Sequence, residues 1–136
     1  MGTWDSGNFD NDTACDYIID LCEPIIECIR NTVQNETSME PDEAESEILL
    51  CNMEILYKLA NSLNTYQAKV AEQEFPMYIC ELPDSKEASD WKSKYLSVWD
   101  NCIDDLDPDE EYKIQRRKVI EETFDNFIKL TRNFED

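Results

Sequence analysis

Histidine is absent from this 136-residue sequence, and glycine occurs only twice, at Gly2 and Gly7. Without histidine, the chain lacks the commonest general base near neutral pH and the commonest metal ligand. Glycine supplies the positive-φ residues of tight hairpins, so its absence after position 7 argues against an all-β fold. Leu, Ile, Glu, Lys and Ala recur instead at spacings of three and four residues, which indicates an all-α domain.

Positive charge is also scarce. Lys and Arg total 12 against 32 Asp and Glu, a formal net charge of −20 at pH 7, and Arg30 is the only basic residue in residues 1–57. Small soluble domains typically carry a net charge of about 2–8 in magnitude. Such a surface repels nucleic acid and anionic membranes, so neither is expected as a partner. A basic protein is the natural complement. The alternative is that the charge only keeps the protein soluble.

Long apolar runs and paired cysteine motifs are missing as well. No segment approaches the length of a membrane-spanning helix, and no apolar stretch precedes the acidic start as it would in a signal peptide. We therefore expect a cytoplasmic protein with reduced thiols. No metal or cofactor is predicted, because the cysteines form no Cys-x-x-Cys pair and suit core packing better than a zinc site. They are Cys15, Cys22, Cys28, Cys51, Cys80 and Cys102.

The apolar pattern predicts a single domain over residues 1–136, built as a bundle of four to five helices. Asn11 or Asp12 caps the first helix, and Pro24 kinks or restarts it. Pro41 opens the second helix. That helix carries two apolar stripes, which indicates a central helix packed on more than one side. The stripes are Ala44, Ile48, Cys51, Ile55 and Leu59, and Leu49, Met53, Leu56, Ala60 and Leu63.

Further helices are predicted in the second half of the chain. A short helix covers residues 65–74, and the run FPMYICELP at 75–83 is either a buried extended strap or an interface. Asp84 starts the next helix through a capping box. Asp107 caps the last helix, which has proline at its first position and runs to about residue 133. The polar early half of that helix is expected to project.

The opening residues 1–11 predict an aromatic clasp that closes the bundle. Trp4 and Phe9 lie on a segment without helical period and gain most by folding back onto the core, where one buried aromatic side chain contributes roughly 1.5–3 kcal/mol. Met1 to Ser6 formally matches an N-myristoylation pattern, but the acidic surroundings disfavour membrane anchoring. A calcium loop is excluded because Ala14 and Cys15 stand where the EF-hand pattern needs an acid or amide and a glycine.

The same opening, MGTWDSGNFDNDTACDY, resembles a bacterial domain family of unknown function. Its members begin M-G-[TA]-W-G-x-G-x-F-D-N-D-x-A-x-[DE]-[WFY], and the sequence departs from this pattern at Asp5. The resemblance covers roughly the first third of the chain. It implies a small intracellular helical protein and supplies no catalytic residues. The matching residues are Trp4, Gly7, Phe9, Asp10, Asn11, Asp12, Ala14, Asp16 and Tyr17.

An acidic run at the junction of the last two helices is the strongest candidate for a binding site. Asp109 can pair with Lys113 four residues on, and acids in a first helical turn are favoured by the helix dipole. Those at the end of the preceding helix oppose its dipole, so a basic partner docking there would explain them. Tyr112 or Trp99 could supply an aromatic anchor, although Trp99 fits the core equally well. The predicted partner-binding residues are Asp100, Asp104, Asp105, Asp107, Asp109, Glu110, Glu111 and Tyr112.

Three functions remain open from the sequence. The leading one is an acidic binding protein that neutralises a basic partner, such as a toxin, in the manner of an immunity protein. The second is a magnesium-dependent nucleotide hydrolase using carboxylate pairs on helix faces. Its candidates are Glu40 with Glu43, Glu43 with Glu47, and Glu122 with Asp125. The third is an interaction module without a toxin partner.

Overall fold

The computed structural model describes residues 6–63 and 76–135, and the fold within these ranges is all-α. The polypeptide forms one bundle, as predicted. Four α-helices and two short 3₁₀ turns lie within the described residues, in the order α1 (Asp12–Val33), a 3₁₀ turn (Glu36–Met39), α2 (Ala44–Ser62), α3 (Ser85–Cys102), a second 3₁₀ turn (Ile103–Leu106) and α4 (Glu110–Arg132).

Two helix starts follow the local capping signals. The Asn11 side-chain oxygen accepts from the Ala14 N–H at 2.8 Å, and Asp84 accepts from the Glu87 N–H at 2.7 Å. Both satisfy amide groups that the first turn of a helix leaves unpaired. Helix α1 continues through Pro24 without ending.

The core is built by pairwise packing of the four helices. Helix α2 packs on both α1 and α4, and α4 packs on α3. The rings of Trp91 and Phe127 stack at 6.1 Å, and those of Tyr95 and Phe124 lie 5.4 Å apart. Because residue numbers rise on α3 as they fall on α4, these two helices are antiparallel. Their inward faces are therefore the most aromatic part of the core.

Residues 76–84 form an extended strap that belongs to the core. Met77, Ile79 and Cys80 are almost fully buried. The Met77 N–H donates to the Ala60 carbonyl at 2.8 Å, which fastens the strap to the end of α2. The alternative of an external interface is thus wrong for these side chains, although Tyr78 remains largely exposed.

Helix α2 differs from the prediction in its start and in its packing. It begins at Ala44, not at Pro41, because Glu43 is still extended. The connection before it turns so that Met39 is fully buried. Only one of its two apolar stripes faces the core, since Ile48 and Ile55 on the other are 47% and 49% exposed.

Helix α4 also starts later than predicted. Asp107 cannot cap it, because this residue ends the second 3₁₀ turn in the left-handed conformation, with φ 50° and ψ 55°. The chain passes Pro108, and Asp109 occupies the N-cap position. The early half of α4 does not simply project, since Arg116 reaches back to Glu47 on α2 at 2.8 Å.

The N-terminal segment is only partly covered by the described residues. Phe9 is half-buried against the core. Trp4 lies outside the described residues, so the aromatic clasp stays a prediction. The helix predicted over residues 65–74 lies outside them too. None of the helices that the structure describes has the length and apolarity to cross a membrane.

Candidate acidic docking surface

One end of the bundle gathers acids from two separate connections. We call it the acidic end and define it by Glu40, Asp42, Glu43, Asp105, Asp107, Asp109, Glu110 and Glu111. The first three precede α2 and the others lie between α3 and the first turn of α4. The two connections approach each other because the first 3₁₀ turn packs on α3. Burial and then the charges of Glu40, Asp105 and Asp42, one from the second connection and two from the first, raise the pKa of the Cys102 thiol.

A buried polar contact holds the first connection and the start of α2 against α3. The Ser46 hydroxyl donates to the Met39 carbonyl at 3.1 Å and lies 2.6 Å from the Tyr95 hydroxyl. It therefore joins the first 3₁₀ turn and α2 to α3. The sequence gives no sign of this contact, because it joins residues 49 positions apart.

Two of the predicted partner-binding acids are neutralised within the protein. Asp100 receives two hydrogen bonds of 2.9 Å from Arg117, which hold the pKa of its carboxyl below the usual range. Asp104 accepts from Lys113 at 2.7 Å. The expected pair of Asp109 with Lys113 is thus wrong, because the lysine reaches across to the preceding turn instead. These ion pairs account for acids that would otherwise oppose the dipole of α3.

The remaining acids have no such explanation. Within residues 6–63 and 76–135, no ion pair or side-chain hydrogen bond involves Asp105, Asp107, Asp109 or Glu110. Asp109 occupies the N-cap position, yet its carboxylate makes no capping bond. Glu111 accepts one bond from Gln115 at 3.3 Å. Four exposed carboxylates at the acidic end therefore make no ion pair or side-chain hydrogen bond within the described residues.

Apolar side chains at the acidic end divide into core and surface. Trp99 is only 2% exposed, so it belongs to the core and cannot serve as an anchor. Tyr112 is 53% exposed and Leu106 is 48% exposed. An aromatic and an aliphatic side chain are thus accessible among the carboxylates.

Of the three carboxylate pairs predicted for metal binding, Glu40 and Glu43 come together, but on the connection before α2 and not on a helix face. One carboxylate oxygen each of Glu40, Asp42 and Glu43 lies within 4.8 Å of the others. In each of the other two pairs, Glu43 with Glu47 and Glu122 with Asp125, one carboxylate forms an ion pair with a basic side chain. Glu47 binds Arg116, and Asp125 accepts from Lys92 at 2.7 Å. Carboxylates from facing helices therefore do not converge among the described residues, and the cluster comes from one connection.

Comparison with known proteins places the chain in a family. The family model described as "Domain of unknown function (DUF4259)" matches residues 2–132. The chain belongs to this family. No curated protein matches the chain, and neither does any solved structure.

The DUF4259 match extends well beyond the first third of the chain. The resemblance to a family of unknown function is thus confirmed, and the region matched is longer than the opening motif. All residues of the acidic end lie inside it. The acidic end is therefore part of the DUF4259 domain and not an appendage to it.

Proposed function

We propose that this DUF4259 domain binds a basic protein partner through the acidic end and neutralises it, as an immunity protein neutralises a toxin. The supporting observation is that Asp105, Asp107, Asp109 and Glu110 make no internal contact with the described residues. The dipole of α4 favours the charges of Asp109 and Glu110 at its start. Neither capping nor ion pairing within the described residues accounts for the charges of Asp105 and Asp107, whereas a docked basic surface would favour all four.

The mechanism is electrostatic steering followed by steric occlusion. Clustered charge of one sign raises the rate of encounter with an oppositely charged partner, and salt screens this effect. Tyr112 and Leu106 then give the docked partner an apolar contact, of the kind that slows dissociation. The protein itself performs no chemistry on the partner in this proposal.

The test is to capture the partner from the source cells and to measure its binding to a neutralised variant. The variant carries D105N, D107N, D109N and E110Q. Asparagine tolerates the left-handed conformation of residue 107 about as well as aspartate does, so the backbone is preserved. We expect the affinity to fall by about tenfold or more, since each lost charge contact at an interface contributes measurably.

A matched control removes the same amount of charge elsewhere. The substitutions D16N, E81Q, D90N and E122Q change four exposed acids outside the acidic end. This control should bind the partner nearly as well as the parent protein. Equal loss in both variants would mean that only net charge matters, and the proposed docking surface would be wrong.

The second candidate function is metal-dependent hydrolysis, favoured by the cluster of Glu40, Asp42 and Glu43. Carboxylate oxygens are the ligands that Mg²⁺ prefers in proteins. Calorimetry with Mg²⁺ and Mn²⁺, alone and with nucleoside triphosphates, tests it. Stoichiometric binding that is lost in E40Q/E43Q, together with nucleotide turnover, would favour this function over partner binding.

A further inference from the structure

Two apolar stripes on α1 and α2 face away from the core. On α1, Tyr17 is 61% exposed and Leu21 is 49% exposed, and Pro24 and Cys28 continue the stripe. Successive members are four, three and four residues apart. This is the spacing of the apolar seam in a helix–helix interface.

Helix α2 repeats the arrangement. Ala44, Ile48, Cys51 and Ile55 are all exposed, and their spacing is again four, three and four. At about 100° per residue, they lie opposite the buried side of the helix, which carries Leu49 and other core residues. The pattern that sequence reasoning assigned to the core therefore lies on the surface.

The two stripes border one surface because α1 and α2 pack side by side. An open groove runs between them at one end, lined by Pro24 and Cys28 from α1, Glu45 from α2 and Ser38 from the connection. The lining includes Pro24 and Cys28 of the α1 stripe, and a helix that extends from the groove along the outer face of α2 would also contact the α2 stripe. Amphipathic helices bind such grooves through residues at similar spacings.

The charges around the groove select the occupant. Asp20 and Glu27 are exposed on α1 and Glu45 is exposed on α2, whereas Glu54 pairs with Lys58 at 3.6 Å. Arg30, the only basic residue before Lys58, is engaged with Glu87 at 3.0 Å. A second copy of the chain would bring the same acids face to face, so a basic occupant is favoured.

We infer that the outer faces of α1 and α2 form a docking groove for one amphipathic helix of a basic protein, with an apolar stripe flanked by Lys and Arg. The sign of the occupant's charge rests on the proposed function. The groove itself rests on the exposed stripes, and it is a second contact surface separate from the acidic end.

The test uses a synthetic helical peptide of about 18 residues with a Leu/Ile stripe and Lys/Arg flanks, and measures binding by fluorescence anisotropy. The variant I48E/I55E should weaken binding by about tenfold or more, because burying each isoleucine contributes roughly 1.5–3 kcal/mol. The control I114E changes an isoleucine of α4 that is 64% exposed, outside the groove, and should leave the affinity unchanged.

A second peptide keeps the apolar stripe and carries Glu flanks. The inference requires this peptide to bind at least about tenfold more weakly than the basic one. Equal binding of both peptides, no binding of either, or equal losses in I48E/I55E and I114E would each overturn it. A concentration-dependent dimer that I48E/I55E abolishes would also overturn it, since the occupant would then be a second copy.

The variant D105N/D107N/D109N/E110Q separates this inference from the proposed function. Peptide binding that depends on these four residues and not on Ile48 and Ile55 would mean that the peptide binds the acidic end through charge alone. That result would refute the groove and leave docking at the acidic end untouched. If I48E/I55E abolishes peptide binding and the neutralised variant does not, the groove stands whatever becomes of the acidic end.

Discussion

The contact between Ser46 and Tyr95 allows a quantitative test of how the start of α2 is held against α3. In S46A, the buried Met39 carbonyl loses its hydroxyl donor, and the Tyr95 hydroxyl keeps only its longer bond, 3.4 Å, to the Ser46 carbonyl. A buried group left without a partner costs about 1–3 kcal/mol, so we expect S46A to lower the free energy of unfolding by about 2 kcal/mol.

Tyr95→Phe is expected to cost less. Ser46 keeps its hydrogen bond to Met39, and only one bond of about 1 kcal/mol is lost. The double variant S46A/Y95F should be less destabilised than the sum of the single variants, because each removes the other's partner. The control Y112F, at a tyrosine that is 53% exposed, should change stability by less than about 0.5 kcal/mol.

The assay is urea unfolding followed by tryptophan fluorescence, which senses the buried Trp91 and Trp99. The loss of stability at alkaline pH, measured as the free energy of unfolding against pH, gives a second readout. Burial raises the pKa of Tyr95 to about 12, whereas the pKa of a tyrosine in an unfolded chain is about 10. This contribution to stability is complete below the unfolded pKa and is lost as the pH rises through the folded pKa, at up to about 1.4 kcal/mol per pH unit. Y95F should remove that part of the loss. The reasoning would be refuted if Y95F lowered the free energy of unfolding more than S46A does, or if Y95F left the loss of stability at alkaline pH unchanged.

Three further predictions concern the cysteines and the N-terminus. Exposed Cys28 and Cys51 should react readily with a thiol reagent, whereas buried Cys22 and Cys80 should react only on unfolding, as mass spectrometry of the labelled sites would reveal. Because burial raises the pKa of Cys80 to about 12, C80A should reduce the loss of stability measured by urea unfolding between about pH 9 and 12. Trp4→Ala should destabilise the fold by roughly 3–5 kcal/mol in thermal unfolding if the clasp is buried, and a negligible change would contradict the clasp.

Local signals in the sequence predicted local structure well. The helix starts at Asn11 and Asp84 follow from side chains that bond backbone groups three residues away. The aromatic face of α4 is buried as its helical spacing indicated, with Phe124 and Phe127 fully enclosed. Each of these features depends on neighbours within a turn or two of helix.

Features that depend on tertiary contacts could not be predicted in the same way. Lys113 pairs with Asp104 and not with Asp109, because the second 3₁₀ turn places Asp104 within reach of the lysine. Helical spacing identified the stripe containing Ile48 but cannot say whether an apolar stripe is buried. Glu40 lies at the acidic end because the connection that carries it packs beside α3. No local pattern in the sequence predicts this packing.

The most direct test of the central claim is the association rate constant of the captured partner, measured at ionic strengths from about 0.01 to 0.5 M. For the parent protein we expect the rate constant to fall by about tenfold or more across this range. For D105N/D107N/D109N/E110Q we expect a slower association at low salt and a much flatter dependence. Identical rate constants and salt dependences for the two proteins would contradict docking at the acidic end.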